Sequence, residues 1–184
     1  MTSSLITALV FVVDTLAKLY LLVLLLRFFL PLFGADFRNP IAQAILKLTS
    51  PLVIPLRRVF PALGRVDTAT VIVAFAVQYV TILLILLISG QSAPMWVIAL
   101  ASLQSLLLLT VRLFIFAIII RVILSWIAPQ GYNPALAVIY MLTDPVLQPF
   151  RRFLPPMGGI DLSPLFAIIA LTALSIIVAG ASPF

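Results

Sequence analysis

The chain has no cysteine, no histidine and no glutamate. Without cysteine there is no disulfide, thiol nucleophile or iron–sulfur ligation. Without histidine the usual haem ligand, zinc ligand and proton shuttle are gone. All five acids are aspartate, and charged residues of both signs make up only 9% of the 184 residues. A soluble domain carries about 25%. Hydrophobic residues fill 64% of the chain and the mean hydropathy is +1.32. This composition describes an integral membrane protein with little room for a soluble domain. In a soluble chain, a net charge of +6 would point to nucleic acid. Here it is read as topology, because cytoplasmic loops of membrane proteins are rich in Lys and Arg, and no nucleic-acid partner is expected.

What is present repeats. Residues 27–67 align without a gap onto 121–161 at a constant offset of 94, with 14 identities in 41 pairs. The identities include Arg27/Arg121, Asn39/Asn133, Pro40/Pro134, Thr49/Thr143, Pro51/Pro145, Pro55/Pro149, Arg57/Arg151, Arg58/Arg152, Pro61/Pro155, Gly64/Gly158 and Asp67/Asp161. These are not the greasy residues that any two membrane segments share. One structural unit therefore occurs twice, over residues 1–94 and 95–184.

Four stretches are long and apolar enough to cross a bilayer, which needs about 20 residues: roughly 5–30, 69–89, 97–128 and 164–179. Pro31, Gly90 and Pro129 are read as the stops of the first three. The third is too long for an upright span and must tilt or project. The expected fold is an all-α membrane protein with four transmembrane helices from two tandem parallel repeats. Each repeat reads helix, interfacial amphipathic connector, helix. Lys and Arg crowd the connectors and are absent from the termini and the 90–94 link. The positive-inside rule then places both connectors in the cytoplasm and both termini outside. Two repeats crossing in the same sense predict a pseudo-two-fold axis along the membrane normal.

Each connector opens with Asn-Pro, an N-cap followed by the first helical position. A second helix start is expected at Thr49-Ser50-Pro51 and Thr143-Asp144-Pro145, with Pro55 and Pro149 bending or breaking the short helix. The pairs Arg57-Arg58 and Arg151-Arg152 sit beside Val59-Phe60 and Phe153-Leu154. Such pairs suit the headgroup layer, where side chains bury their stems and lift their charges. Two readings stand side by side: the pairs only fix topology, or they bind anionic lipid or a membrane partner. Gly64 and Gly158-Gly159 end the connectors. Asp67 and Asp161 are read as caps of the returning spans rather than ligands. With Arg27 and Arg121 at the neighbouring span ends, they also suggest an Arg–Asp clasp in each repeat, Arg27 to Asp67 and Arg121 to Asp161.

Ionisable groups at membrane depth are costly and are functional candidates by default. Asp14 and Lys18 are spaced i, i+4 and face each other. Arg112 stands at the position of Lys18 in the second repeat, where Leu108 replaces Asp14. The expectation is a cluster in which Asp14 serves both cations. It could lock helix packing, carry an ion or proton, or merely hold side chains that snorkel to the interface.

The second repeat reads R-V-I-L-S-W-I-A-P over Arg121 to Pro129, N-P at Asn133-Pro134, and L-T-D-P-V-L-Q-P-F-R-R-F-L-P-P-M-G-G-I-D-L-S-P over Leu142 to Pro164. This resembles the YggT family of bacterial membrane proteins, related to the Ycf19-type proteins of plastids, in its two-repeat form. The first repeat is a degraded copy: Ser50 replaces the aspartate, Arg65 the second glycine, and Ala69-Thr70 the Ser-Pro. The resemblance implies roles in ion or osmotic homeostasis, cofactor assembly on membrane cytochromes, or cell division. It brings no catalytic residues.

The expected function is a non-enzymatic inner-membrane scaffold or assembly factor. The alternative is a small channel or transporter in cation or osmotic balance. An enzyme is not expected, since serines abound but no histidine activates one. No cofactor or metal is expected. Expected partners are anionic lipid headgroups and membrane proteins that the sequence does not identify, with homo-oligomerisation open.

Overall fold

The structure is a computed structural model that describes residues 2–127, 133–153 and 161–181. Six helices follow in order: α1 Thr2–Leu32, α2 Pro40–Arg57, α3 Thr68–Ile88, α4 Met95–Ile127, α5 Pro134–Phe153 and α6 Ser163–Gly180. Helices α1, α3, α4 and α6 are long and apolar enough to cross a membrane. Helices α2 and α5 are the connectors. The described residues contain no strand, only an isolated bridge between Leu63 and Val66 around the turn at Gly64.

Helix α1 runs on through Pro31, which was expected to end it. Its true stop is Gly34, with a φ of +79°. Gly34 N–H donates to Pro31 O and Ala35 N–H to Leu30 O, the pairing of a Schellman motif. Helix α3 ends the same way at Gly90, through Gly90 N–H to Leu87 O and Gln91 N–H to Leu86 O. The stop read at Pro129 and the glycine pair Gly158-Gly159 lie outside the described residues.

The connectors depart from expectation. Each is one continuous helix, despite Pro51 and Pro55 in α2 and Pro145 and Pro149 in α5. A proline removes its own N–H and so frees the carbonyl four residues earlier. In α2 those carbonyls belong to Lys47 and Pro51, both exposed residues. Polar surroundings can satisfy them, so the helix need not break. The face opposite is buried: Ala42, Ile45, Thr49 and Val53 in α2, and Val138, Leu142, Thr143 and Leu147 in α5.

Within each repeat the packing is duplicated. Leu24, Val53 and Val73 lie in one core cluster joining α1, α2 and α3. Their equivalents at the offset of 94, Ile118, Leu147 and Ala167, form the cluster joining α4, α5 and α6. Between the repeats it is not duplicated. Helix α3 packs on α4, but α6 does not touch α1; α1 packs on α5, but α4 does not touch α2. A two-fold axis would require both members of each pair. The repeats run in the same sense, but they join head to tail, and the expected pseudo-two-fold is absent. Identical halves fix the fold of each half, not the operator between them.

Candidate functional site

The buried polar groups gather where each connector meets its spans. Arg27 follows Leu21, Leu24 and Leu25 on α1 and is itself only 3% exposed. Its Nη1 donates to Thr49 Oγ1 at 2.8 Å, Ser50 Oγ at 3.3 Å and Leu46 O at 3.2 Å. Thr49 Oγ1 in turn donates to Ile45 O, so the hydroxyl is oriented to accept from the guanidinium. Arg121 repeats the contact on Thr143 Oγ1 at 2.7 Å, and Thr143 donates to Ile139 O. Each arginine therefore pins the middle of a connector helix to the end of a span. Arg121 also lies over the Tyr140 ring, 4.5 Å from its centroid.

The carboxylates differ between repeats. In the first, Asp67 serves two arginines: Arg57 at 2.6 Å and Arg27 Nε at 3.8 Å. Asp67 Oδ2 also accepts from Thr70 Oγ1 at 2.9 Å. Arg27 Nε and Asp67 Oδ1 are buried without a hydrogen bond. In the second, Asp144 takes Arg121 at 2.6 Å and Arg151 at 3.2 Å, and Asp161 takes Arg151 at 3.1 Å. The charges thus alternate in a chain, Arg121–Asp144–Arg151–Asp161.

Several sequence expectations change here. The clasp between Arg27 and Asp67 is present at its long distance. The direct clasp between Arg121 and Asp161 is replaced, because Asp144, at the position of Ser50, reaches the guanidinium first. Asp67 caps no backbone N–H of α3, since its carboxylate is turned to Arg57 and Thr70. Asp161 does cap, accepting Ser163 N–H at 2.9 Å. Partial burial pushes the Asp161 carboxyl up, but hydrogen bonds from Ser163 and Arg151 outweigh it and hold it below the usual carboxylate range. Arg57 and Arg151, read as lipid- or partner-facing, point back into these junctions. Arg58 and Arg152 remain exposed and make no ion pair among the described residues.

Asp14 and Lys18 meet at 2.6 Å on the outer surface of α1. Arg112 does not join them. It sits on α4 in a groove of about 510 Å³ with Leu22, Leu26, Phe116 and Leu142, and makes no ion pair among the described residues. The reason is the head-to-tail packing, which brings α4 against the Leu25–Phe29 face of α1 rather than against Asp14. No group of three or more carboxylates converges among the described residues.

Residues missed as site members are Thr49, Thr143, Asp144 and Asn39. Asn39 caps α2 through Ile41 N–H and donates from Nδ2 to Pro134 O at 2.8 Å, tying the two connectors together. The repeat alignment held the signal, since three of the four belong to identical pairs.

Comparison with known proteins agrees with this organisation. The chain is 43% identical to an uncharacterised protein of Pseudomonas aeruginosa over 94% of its own length and 88% of that protein. It is 37% identical to the uncharacterised protein YggT of Escherichia coli over 93% and 89%. An uncharacterised ycf19 protein of Porphyra purpurea matches at 35% over 36% of this chain and 70% of its own length. No solved structure matches. The CCB3/YggT family model matches twice, over residues 6–88 and 100–182, and the chain belongs to that family.

Proposed function

We propose that this protein is a non-enzymatic scaffold or assembly factor that acts at the connector end of the membrane. One observation carries the reading: both connectors are unbroken helices pinned to the spans by a buried or nearly buried arginine. A pinned amphipathic helix presents a fixed surface. On α2 that surface carries Lys47 beside exposed Leu48, Leu52 and Ile54, with exposed Arg58 and Val59 just past its end; on α5 it carries Arg152 and Phe153. Apolar groups flanked by cations suit a headgroup layer or an acidic membrane partner. The interior between the spans is filled by four apolar clusters, which argues against a wide polar path. In this reading the connectors lie on the cytoplasmic side of a bacterial inner membrane.

A second reading, a small channel or transporter in cation or osmotic balance, draws on the Asp14–Lys18 pair at membrane depth. Site-specific photo-crosslinkers at Arg58 and Arg152, with Leu9 and Ile176 as comparison sites on the spans, test the first reading. Lipid adducts are expected at every membrane-exposed site, and discrete adducts to another protein species are expected at the connector sites and not at Ile176. Connector sites that give only the lipid adducts seen at Ile176 would contradict it.

A further inference from the structure

The junction between the repeats uses only half of what each repeat offers. Helix α1 presents Leu22, Leu25 and Phe29. Helix α4 receives them with Leu113, Phe114 and Ala117, and Phe29 meets Phe114 edge to face at 4.9 Å. Higher on α4, Leu106 and Thr110 line the same junction with Leu24, Leu25 and Phe28. By the offset of 94, the presenting face recurs on α4 as Phe116, Ile119 and Ile123. The receiving face recurs on α1 as Val12, Leu16 and Leu19, equivalents of Leu106, Thr110 and Leu113; Tyr20 and Val23, equivalents of Phe114 and Ala117, are partly buried against the chain's own core. Among the described residues, Val12, Leu16 and Leu19 and the whole of the presenting face on α4 stay largely open. Phe116, Ile119 and Ile123 are 63%, 40% and 46% exposed, and Val12, Leu16 and Leu19 are 49%, 62% and 55% exposed.

The connectors repeat the pattern with a polar group. Asn39 donates its side-chain amide to Pro134 O. Asn133 Oδ1 accepts Ala135 N–H just as Asn39 Oδ1 accepts Ile41 N–H, but the reciprocal bond from Asn133 Nδ2 to Pro40 O is absent among the described residues, and both Asn133 and Pro40 are exposed. Buried Leu30 and Val138 likewise share a cluster, whereas their equivalents Leu124 and Ala44 are only half-buried and exposed. Apolar character is kept at nearly every equivalent position. The exceptions are Thr15, in place of Leu109, and Lys47, in place of Met141, whose stem can still cover the contact.

We infer that a second copy of this chain docks on these faces, its α1 receiving the first copy's α4 as α4 receives α1 within one chain. The occupant follows from continuity with an interface the chain already makes between its own halves. Such contacts are heterologous: each copy offers one presenting face and one receiving face, so copies add in one direction and build a ring or an arc rather than a two-fold dimer. This goes beyond the scaffold reading and does not depend on it.

The absence of cysteine makes the test clean. Leu19→Cys and Ile119→Cys are placed together in the full chain and oxidised in native membranes. Within one chain Leu25 meets Leu113 on parallel helices, so positions 19 and 119 stand about twelve residues, or roughly 18 Å, apart along the axes. A disulfide needs Cα atoms within about 7 Å, so only a bond between copies can form. The double variant should give a ladder of dimers and larger species. A mixture of the two single variants should give dimers only, and each single variant alone should stay monomeric. Two differently tagged copies should also co-purify without oxidation. Strong dimers from either single variant would establish a two-fold contact and overturn the inference. So would monomers throughout, with no co-purification, when Leu25→Cys with Leu113→Cys bridges within the chain.

Discussion

The Arg27 guanidinium lies 3.8 Å from the Asp67 carboxylate, and each side chain is only 4% exposed. A buried charge that loses its partner is left uncompensated, at a cost of about 3–5 kcal/mol. Asp67→Asn should therefore destabilise the first repeat by an amount in that range. Asp161→Asn should cost far less, because Asp161 is 39% exposed and Arg151 keeps Asp144. Unfolding in mild detergent measures both, and equal losses would argue against the asymmetry.

Ser50 stands where the second repeat has Asp144, and it already lies 3.3 Å from Arg27 Nη1. Ser50→Asp should give Arg27 a second carboxylate. It should recover at least half of the stability lost in Asp67→Asn. The double variant measured beside both singles checks this; strict additivity of the two losses is the contrary outcome.

Thr49 and Thr143 each hold an arginine through a hydroxyl. Valine keeps the shape and removes the acceptor, at about 1–3 kcal/mol for the group left unsatisfied. Thr49→Val should sit at the upper end, since Arg27 is more deeply buried than Arg121 and its carboxylate is farther away, 3.8 Å against 2.6 Å. Connector mobility, read by hydrogen exchange in α2 and α5, should rise in the same order.

Acid sensitivity follows from Asp161, whose carboxyl is held below its usual range. A depressed pKa contributes stability that is present above the unfolded value of about 4 and is lost as pH falls through the folded value. Acidification below about pH 4 should therefore destabilise the wild type more steeply than Asp161→Asn. Above about pH 6 the two curves should run parallel. Thermal unfolding across that range reads the difference.

Asp14 and Lys18 should couple in a double-mutant cycle, and Asp14 and Arg112 should not. A measurable Asp14–Arg112 coupling would restore the three-residue cluster that the head-to-tail packing separates.

The spans were legible because hydropathy at this level leaves few alternatives. The connectors were legible in place but not in form. Counting the N–H groups lost at Pro51 and Pro55 predicted a break, whereas what decides is where the freed carbonyls sit, and they belong to Lys47 and Pro51 on the exposed side of the helix. The Arg121–Asp161 clasp was misread for a related reason: Asp144 is one residue from Thr143 and therefore within reach of the same guanidinium. The Ser50/Asp144 difference was visible in the alignment, but its effect required the helix to continue. Nothing in the repeat could reveal the head-to-tail junction, because equal halves are compatible with many operators.

Cation flux tests the scaffold reading most directly. Purified protein is placed in potassium-loaded vesicles with insertion verified, with Asp14→Asn beside it. The account predicts efflux no faster than from empty vesicles for both proteins. Efflux through the wild type that Asp14→Asn abolishes would make the α1 charge pair a conduction site and contradict it.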